Sequence, residues 1–94
     1  MTTNTTATAR WAKIGLTGCT LSHHQVSRAL GRYARAEEVR TANDNHAHEI
    51  TALLPAGYKV DRTGSVHSTH PYSAEDFHRI TNLIYAAHNA LLAP

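Results

Sequence analysis

The sequence predicts an α+β domain: a small antiparallel sheet of three to four strands with two helices packed on one face. Three observations predict it. From Ser73 to Leu92, the residues Phe77, Ile80, Ile84, Ala87 and Leu91 recur at steps of three and four, a helical stripe that Leu83 widens on one side. Between His46 and His70, three short runs alternate in polarity and are punctuated by Pro55-Ala-Gly57 and Thr63-Gly64. Ahead of them, Ser22 with Gln25 three residues later forms a capping box that opens a second helix.

Taken in order, Met1 to Ala9 is threonine-rich without apolar periodicity and reads as a flexible tail, which leaves residues 10–94 as one domain. Arg10 to Thr17 alternates, with Ala12, Ile14 and Leu16 on one face, and predicts a strand that Gly15 weakens. Gly18-Cys19-Thr20 is a turn. The helix from Ser22 reaches to about Arg35, with Val26, Ala29, Leu30 and Tyr33 as its apolar face and Gly31 inside it at a cost of about 1 kcal/mol against alanine. Thr41 to Asn45 has loop chemistry. His46 to Leu54 predicts a strand with Ile50, Ala52 and Leu54 on one face, Tyr58 to Arg62 a second, and Ser65 to His70 a polar third at an edge. The closing helix is the best marked. Ser73 caps it, Glu75 and Asp76 set negative charge at its positive end, and Tyr72 and Phe77 stand as a hydrophobic staple. Burying Phe77, Ile80, Ile84 and Leu91 fully would stabilise the fold by roughly 6–12 kcal/mol.

With 94 residues, 41% apolar and 17% charged, the chain fits a small folded domain rather than a disordered one. One cysteine, Cys19, excludes an internal disulfide, and the natural setting for such a chain is reducing and cytoplasmic. No apolar run approaches the roughly 20 residues of a membrane span. The formal charge of +2 is mild for a dedicated nucleic-acid binder.

Four sets of residues carry possible chemistry. His46 and His48 share a face if their segment is a strand, and with Asp44, Glu49, His67 and His70 they suggest a His and carboxylate metal site; the alternative is exposed, unligated side chains. His67-Ser-Thr69 has the His-x-Thr form of two-histidine phosphoesterases, but a second copy is missing. Cys19 beside His23 or His24 at a helix start suits a thiolate, with no third group to orient a base. Arg28, Arg32 and Arg35, spaced along the first helix with Arg40 beyond, form a stripe that suits phosphates or a carboxylate-rich protein surface. Within the same helix, Gln25-Val-Ser-Arg-Ala-Leu-Gly31 resembles the first half of a helix-turn-helix. The second half departs from that pattern, because Glu37 stands where an apolar residue should lock the recognition helix.

The closing helix, through Arg79-Ile80 and Asn89-Ala90, resembles the terminal helices of small phage-encoded accessory proteins, among them the anti-CRISPR kind. That resemblance implies a compact, cofactor-free, non-enzymatic protein acting by docking on a host machine. The expectation is therefore a small binding protein, without catalytic residues, metal or cofactor, that docks on a protein or nucleoprotein partner through Arg28, Arg32, Arg35 and Arg40, as an inhibitor or adaptor. A DNA-binding regulator using the same helix is the alternative, and a histidine-based metal-dependent enzyme a second.

Overall fold

A computed structural model describes residues 10–92; the tail expected over residues 1–9 lies outside them. The fold is α+β. It has β1 (Ala12–Leu16), α1 (His23–Leu30), α2 (Ala36–Thr51), β2 (Tyr58–Val60), β3 (Ser65–Ser68) and α3 (Ala74–Leu92). The three strands form one antiparallel sheet in the order β1-β3-β2. Tyr58, Val60 and Val66 point from the sheet into a core completed by Ala47 and Ile50 of α2 and Ile80, Ile84 and Ala87 of α3. Two helices thus cover one face of the sheet, as expected, but they are α2 and α3. The first helix, α1, packs on α2.

Three predicted elements are corrected. The helix from Ser22 ends at Leu30, not near Arg35. Gly31 takes the left-handed conformation (φ 74°) and closes it: the Gly31 N–H reaches the Arg28 carbonyl and the Arg32 N–H the Ser27 carbonyl. Those bonds occupy two of the last four carbonyls of the helix, so the glycine terminates it rather than weakening it. Residues 41–51, expected as a loop and a strand, belong to α2. The apolar alternation at Ile50, Ala52 and Leu54 hid a helical stripe of Val39, Asn43, His46, Ala47 and Ile50, two members of which are polar. Finally, β3 is the central strand rather than an edge. Its serines are buried because their hydroxyls find partners: Ser65 Oγ lies 2.9 Å from Thr63 Oγ1, and Ser68 Oγ donates to the His70 carbonyl at 2.8 Å.

The ends of the fold are held by side chains. Ser73 Oγ accepts from the Asp76 N–H at 3.0 Å, the cap the sequence announces for α3, and the Asp76 carboxylate returns a bond from the Ser73 N–H at 3.2 Å. The Tyr72 and Phe77 rings lie 6.1 Å apart. Ser22 and Gln25 form the same box on α1. At the β2 edge, Thr51 Oγ1 accepts from the Val60 N–H at 3.1 Å and faces the Val60 carbonyl at 3.3 Å, so α2 occupies backbone groups an edge strand would leave open. Gly15 has a packing role: a Cβ there would stand 2.6 Å from Cζ of Phe77, so β1 leaves room for that ring to lie against it. A break in the β1–β3 register falls between Lys13 and Gly15.

Burial of the expected core is uneven. Ile80, Ile84, Ile50, Val60 and Val26 are buried, Phe77 and Leu54 partly so. Leu30 and Leu91 are not: they stay 44% and 40% exposed.

Candidate functional site

Two of the large apolar side chains left exposed, Leu30 and Leu92, meet smaller apolar groups between α1, α2 and the end of α3, while others, Leu16 and Leu53 among them, lie elsewhere. Leu21, Val26, Ala29 and Leu30 form one wall, Ala42 and Thr41 the floor, and Leu92 the far end of an open groove of about 610 Å³; Gln25, Glu37, Glu38 and Asn45 supply its polar rim. The wall follows from helix spacing, since residues 25, 26, 29 and 30 share one side of α1 and residues 37, 38, 41, 42 and 45 one side of α2.

Polar bonds hold the two walls apart at a fixed spacing. The buried Asn43 amide on α2 accepts from the Leu21 N–H at 2.7 Å and donates to the Leu21 carbonyl at 3.0 Å and the Val39 carbonyl at 3.1 Å. The turn between the helices is pinned from α1. Ser27 Oγ accepts from the Ala34 N–H at 2.9 Å, His23 Nε2 meets the Ala34 carbonyl at 2.7 Å, and the His23 ring stacks at 4.4 Å on Tyr33. Glu38 ties the turn to α2: Arg32 grips its carboxylate with both terminal nitrogens, one at 2.9 Å, and the Arg35 N–H donates to it at 2.8 Å. The Arg32 bond first, and the Arg35 N–H second, hold the Glu38 carboxyl down to about 2.

The arginine stripe does not exist as a stripe. Arg28 alone lies on α1; Arg32 is in the turn, Arg35 precedes α2 and Arg40 lies within it. All four are exposed, Arg32 is engaged by Glu38, and Arg35 lies 3.7 Å from Glu37 and 3.6 Å from Glu38. None of the four lines the groove. Sequence reasoning placed Leu30 in the core and passed over Leu21, Ala42 and Leu92; their meeting depends on α1 ending at Gly31, the point it misjudged.

The histidines disperse. On a helix, positions 46 and 48 fall on different sides, so the shared face expected for a strand is lost. His48 is exposed. His46 is buried and pairs with His88 of α3, Nε2 to Nδ1, at 2.8 Å. Burial, and then the neighbouring His88, push the His46 pKa below its ordinary value, and Glu49 opposes them. His67 Nε2 bonds Asp61 Oδ2 at 2.8 Å, a contact that ties the two ends of the β2–β3 hairpin turn together. Asp61 also accepts from the N–H groups of Thr63 and Ser65 and from the Thr63 hydroxyl. Burial pushes its pKa up, yet these bonds together outweigh burial and hold it below the usual carboxylate range. Cys19 is buried, while His23 spends Nε2 on the Ala34 carbonyl. Among the described residues no group of three or more His, Cys, Asp or Glu is placed to hold a metal ion, and no helix is long and apolar enough to cross a membrane.

The chain matches no family model, no curated protein and no solved structure. Nothing in these comparisons ties it to phage accessory proteins, so its function rests on the geometry alone.

Proposed function

We propose that the protein acts by contact, as a small non-enzymatic binding protein that receives an apolar segment of a protein or nucleoprotein partner in the groove between α1, α2 and the end of α3. The observation that carries this reading is the groove itself. Leu30 and Leu92, 44% and 39% exposed, face an apolar channel that no other part of the described chain fills. Contiguous apolar surface with a polar rim is the usual form of a protein-binding site. Glu37 and Glu38 flank the channel, but Arg32 and Arg35 lie against them, so the rim carries little net charge and the apolar face of a partner helix is what would match it. Occlusion of a partner's working surface is how a domain of this size would inhibit.

A DNA-binding reading gains one observation: α1, the turn after Gly31 and α2 do follow one another as helix, turn and helix. Charge opposes it. The helix that would enter the major groove, α2, carries Glu37, Glu38, Asp44 and Glu49 against Arg40, and Arg32, Arg35 and Arg62 are drawn onto three of those acids, which leaves no clear positive surface for phosphates. The test is affinity capture by the wild type beside Ala29→Trp, which fills the groove, Leu30→Glu, which charges it, and Arg28→Glu, which alters α1 outside it. A protein retained by the wild type and Arg28→Glu but lost from both groove variants supports the reading. Equal capture by all four refutes it.

A further inference from the structure

The opposite side of the sheet carries a second surface, independent of the groove. Tyr58 and Val60 enter the core, so Lys59 between them points away from the helices. Lys59 and His67 are register partners across β2 and β3, and Lys13 and His67 across β1 and β3. Lys13, His67 and Lys59 therefore stand in one row on the face that none of the described helices covers. Two interstrand steps of about 4.8 Å put the backbones of the two lysines about 10 Å apart. Trp11, the one tryptophan of the chain, is drawn onto the same face: Lys59 Nζ lies 4.5 Å from its ring centroid. The indole remains 43% exposed.

The charge on this face is positive. Among the described residues Lys13 and Lys59 form no ion pair with an acid, and Arg10, exposed, precedes the tryptophan. The acid beside the row, Asp61, is engaged by His67 and by the Thr63 and Ser65 donors, and Arg62 beyond it lies 3.9 Å from Asp44. A flat sheet face with an exposed indole between cations matches a ligand that offers planar rings and regularly spaced anions together. Single-stranded nucleic acid offers both, because its bases present free faces. A duplex hides those faces, and an acidic peptide offers the charge without the rings.

We propose that the uncovered face of the sheet binds single-stranded nucleic acid, with one base stacked on Trp11 and neighbouring phosphates on Lys13 and Lys59. The site is sequence-tolerant, since stacking and phosphate contacts carry no base code.

The test uses labelled oligo(dT) and oligo(rU) 12-mers at low salt, read by anisotropy and by quenching of Trp11 emission. Inorganic polyphosphate and a 12-bp duplex are the comparison ligands. The expected result is quenching by both single strands and weaker binding of polyphosphate and duplex. Affinity should fall about 5- to 150-fold in Trp11→Ala, as loss of one stacked base predicts. With two or three phosphates contacted, the log-log salt slope should be about −1.4 to −2, and Lys13→Glu with Lys59→Glu should abolish binding. Circular dichroism of each variant confirms the fold, and all three positions lie outside the core. Leu30→Glu should leave oligonucleotide binding intact, which separates this surface from the groove. Absence of single-strand binding at low salt overturns the proposal. So does binding indifferent to Trp11→Ala, or polyphosphate or duplex binding as tight as that of the single strands.

Discussion

Mild acid should loosen the contact between α2 and α3. His46 is 5% exposed and shares a hydrogen bond with His88, an arrangement that needs one ring to donate and the other to accept. A proton on His46 is disfavoured by burial first and by His88 second. The sign follows. The folded pKa of His46 lies below the unfolded one, near 6.5, so the unfolded chain takes the proton first. The stabilisation is complete above about pH 6.5 and is lost progressively as pH falls from there toward the depressed folded value. One excluded proton gives a slope of at most about 1.4 kcal/mol per pH unit. From pH 6.5 to 5.5 that is up to about 1.4 kcal/mol, a sizeable part of a typical 5–15 kcal/mol. The assay is urea unfolding, followed by circular dichroism, every half unit from pH 8 to 5, for the wild type and for His46→Gln. Glutamine keeps a side-chain donor and removes the titration. Subtracting the two curves removes the contribution of the six histidines that do not touch His46. The difference should be level above pH 6.5 and slope below it. Parallel curves across the whole range would show that His46 takes its proton as freely folded as unfolded, and the argument from burial would fail.

Two further outcomes test the packing. Gly15→Val should destabilise by about 1–3 kcal/mol, because its Cβ alone would lie 2.6 Å from the Phe77 ring; adding Phe77→Leu should recover part of the loss, and simple additivity in the double-mutant cycle would place the ring elsewhere. Asn43→Leu removes two hydrogen bonds between α2 and the segment leading into α1, and a third within α2; it should cost about 1–3 kcal/mol, with faster amide exchange at Leu21, and unchanged protection there would contradict the role given to Asn43.

What could be read from the sequence depended on whether apolar residues alone carried the pattern. In α3 they did: Ile80 and Ile84 are fully buried, and Ser73 caps the helix where the sequence marked its start, with Asp76 returning a bond to the Ser73 N–H. In α2 they did not. Asn43 and His46 occupy core-facing positions, and each is admitted by a partner distant in sequence, Leu21 or His88. Counting hydrophobic residues could not find that stripe, and the leftover alternation at Ile50, Ala52 and Leu54 imitated a strand. The central place of β3 was hidden likewise, because Ser65 and Ser68 are buried through local hydroxyl bonds that a polarity pattern does not register. Gly31 was ambiguous for another reason. A glycine costs a helix interior and favours its end, and only the choice of the second option separates α1 from α2.

That choice also decides where function can lie. Continued to Arg35, the first helix would carry Arg28, Arg32 and Arg35 on one face and place Leu30 against the core. Ended at Gly31, it turns the chain into α2, spends Arg32 on Glu38, and leaves Leu30 facing Ala42 and Leu92 across open space. The core is closed by residues from β2, β3, α2 and α3, and α1 adds nothing to it. Leu30 and Leu92 are therefore apolar without being needed for the core. Leaving about two fifths of each side chain in water forgoes roughly 0.6–1.3 kcal/mol of burial apiece. A partner helix laid along the groove would recover that free energy on binding, whereas the arginines would gain little from exposed ion pairs already screened by solvent. Affinity in this protein should therefore follow the leucines of the groove, and the exposed arginines should govern how fast a charged partner arrives.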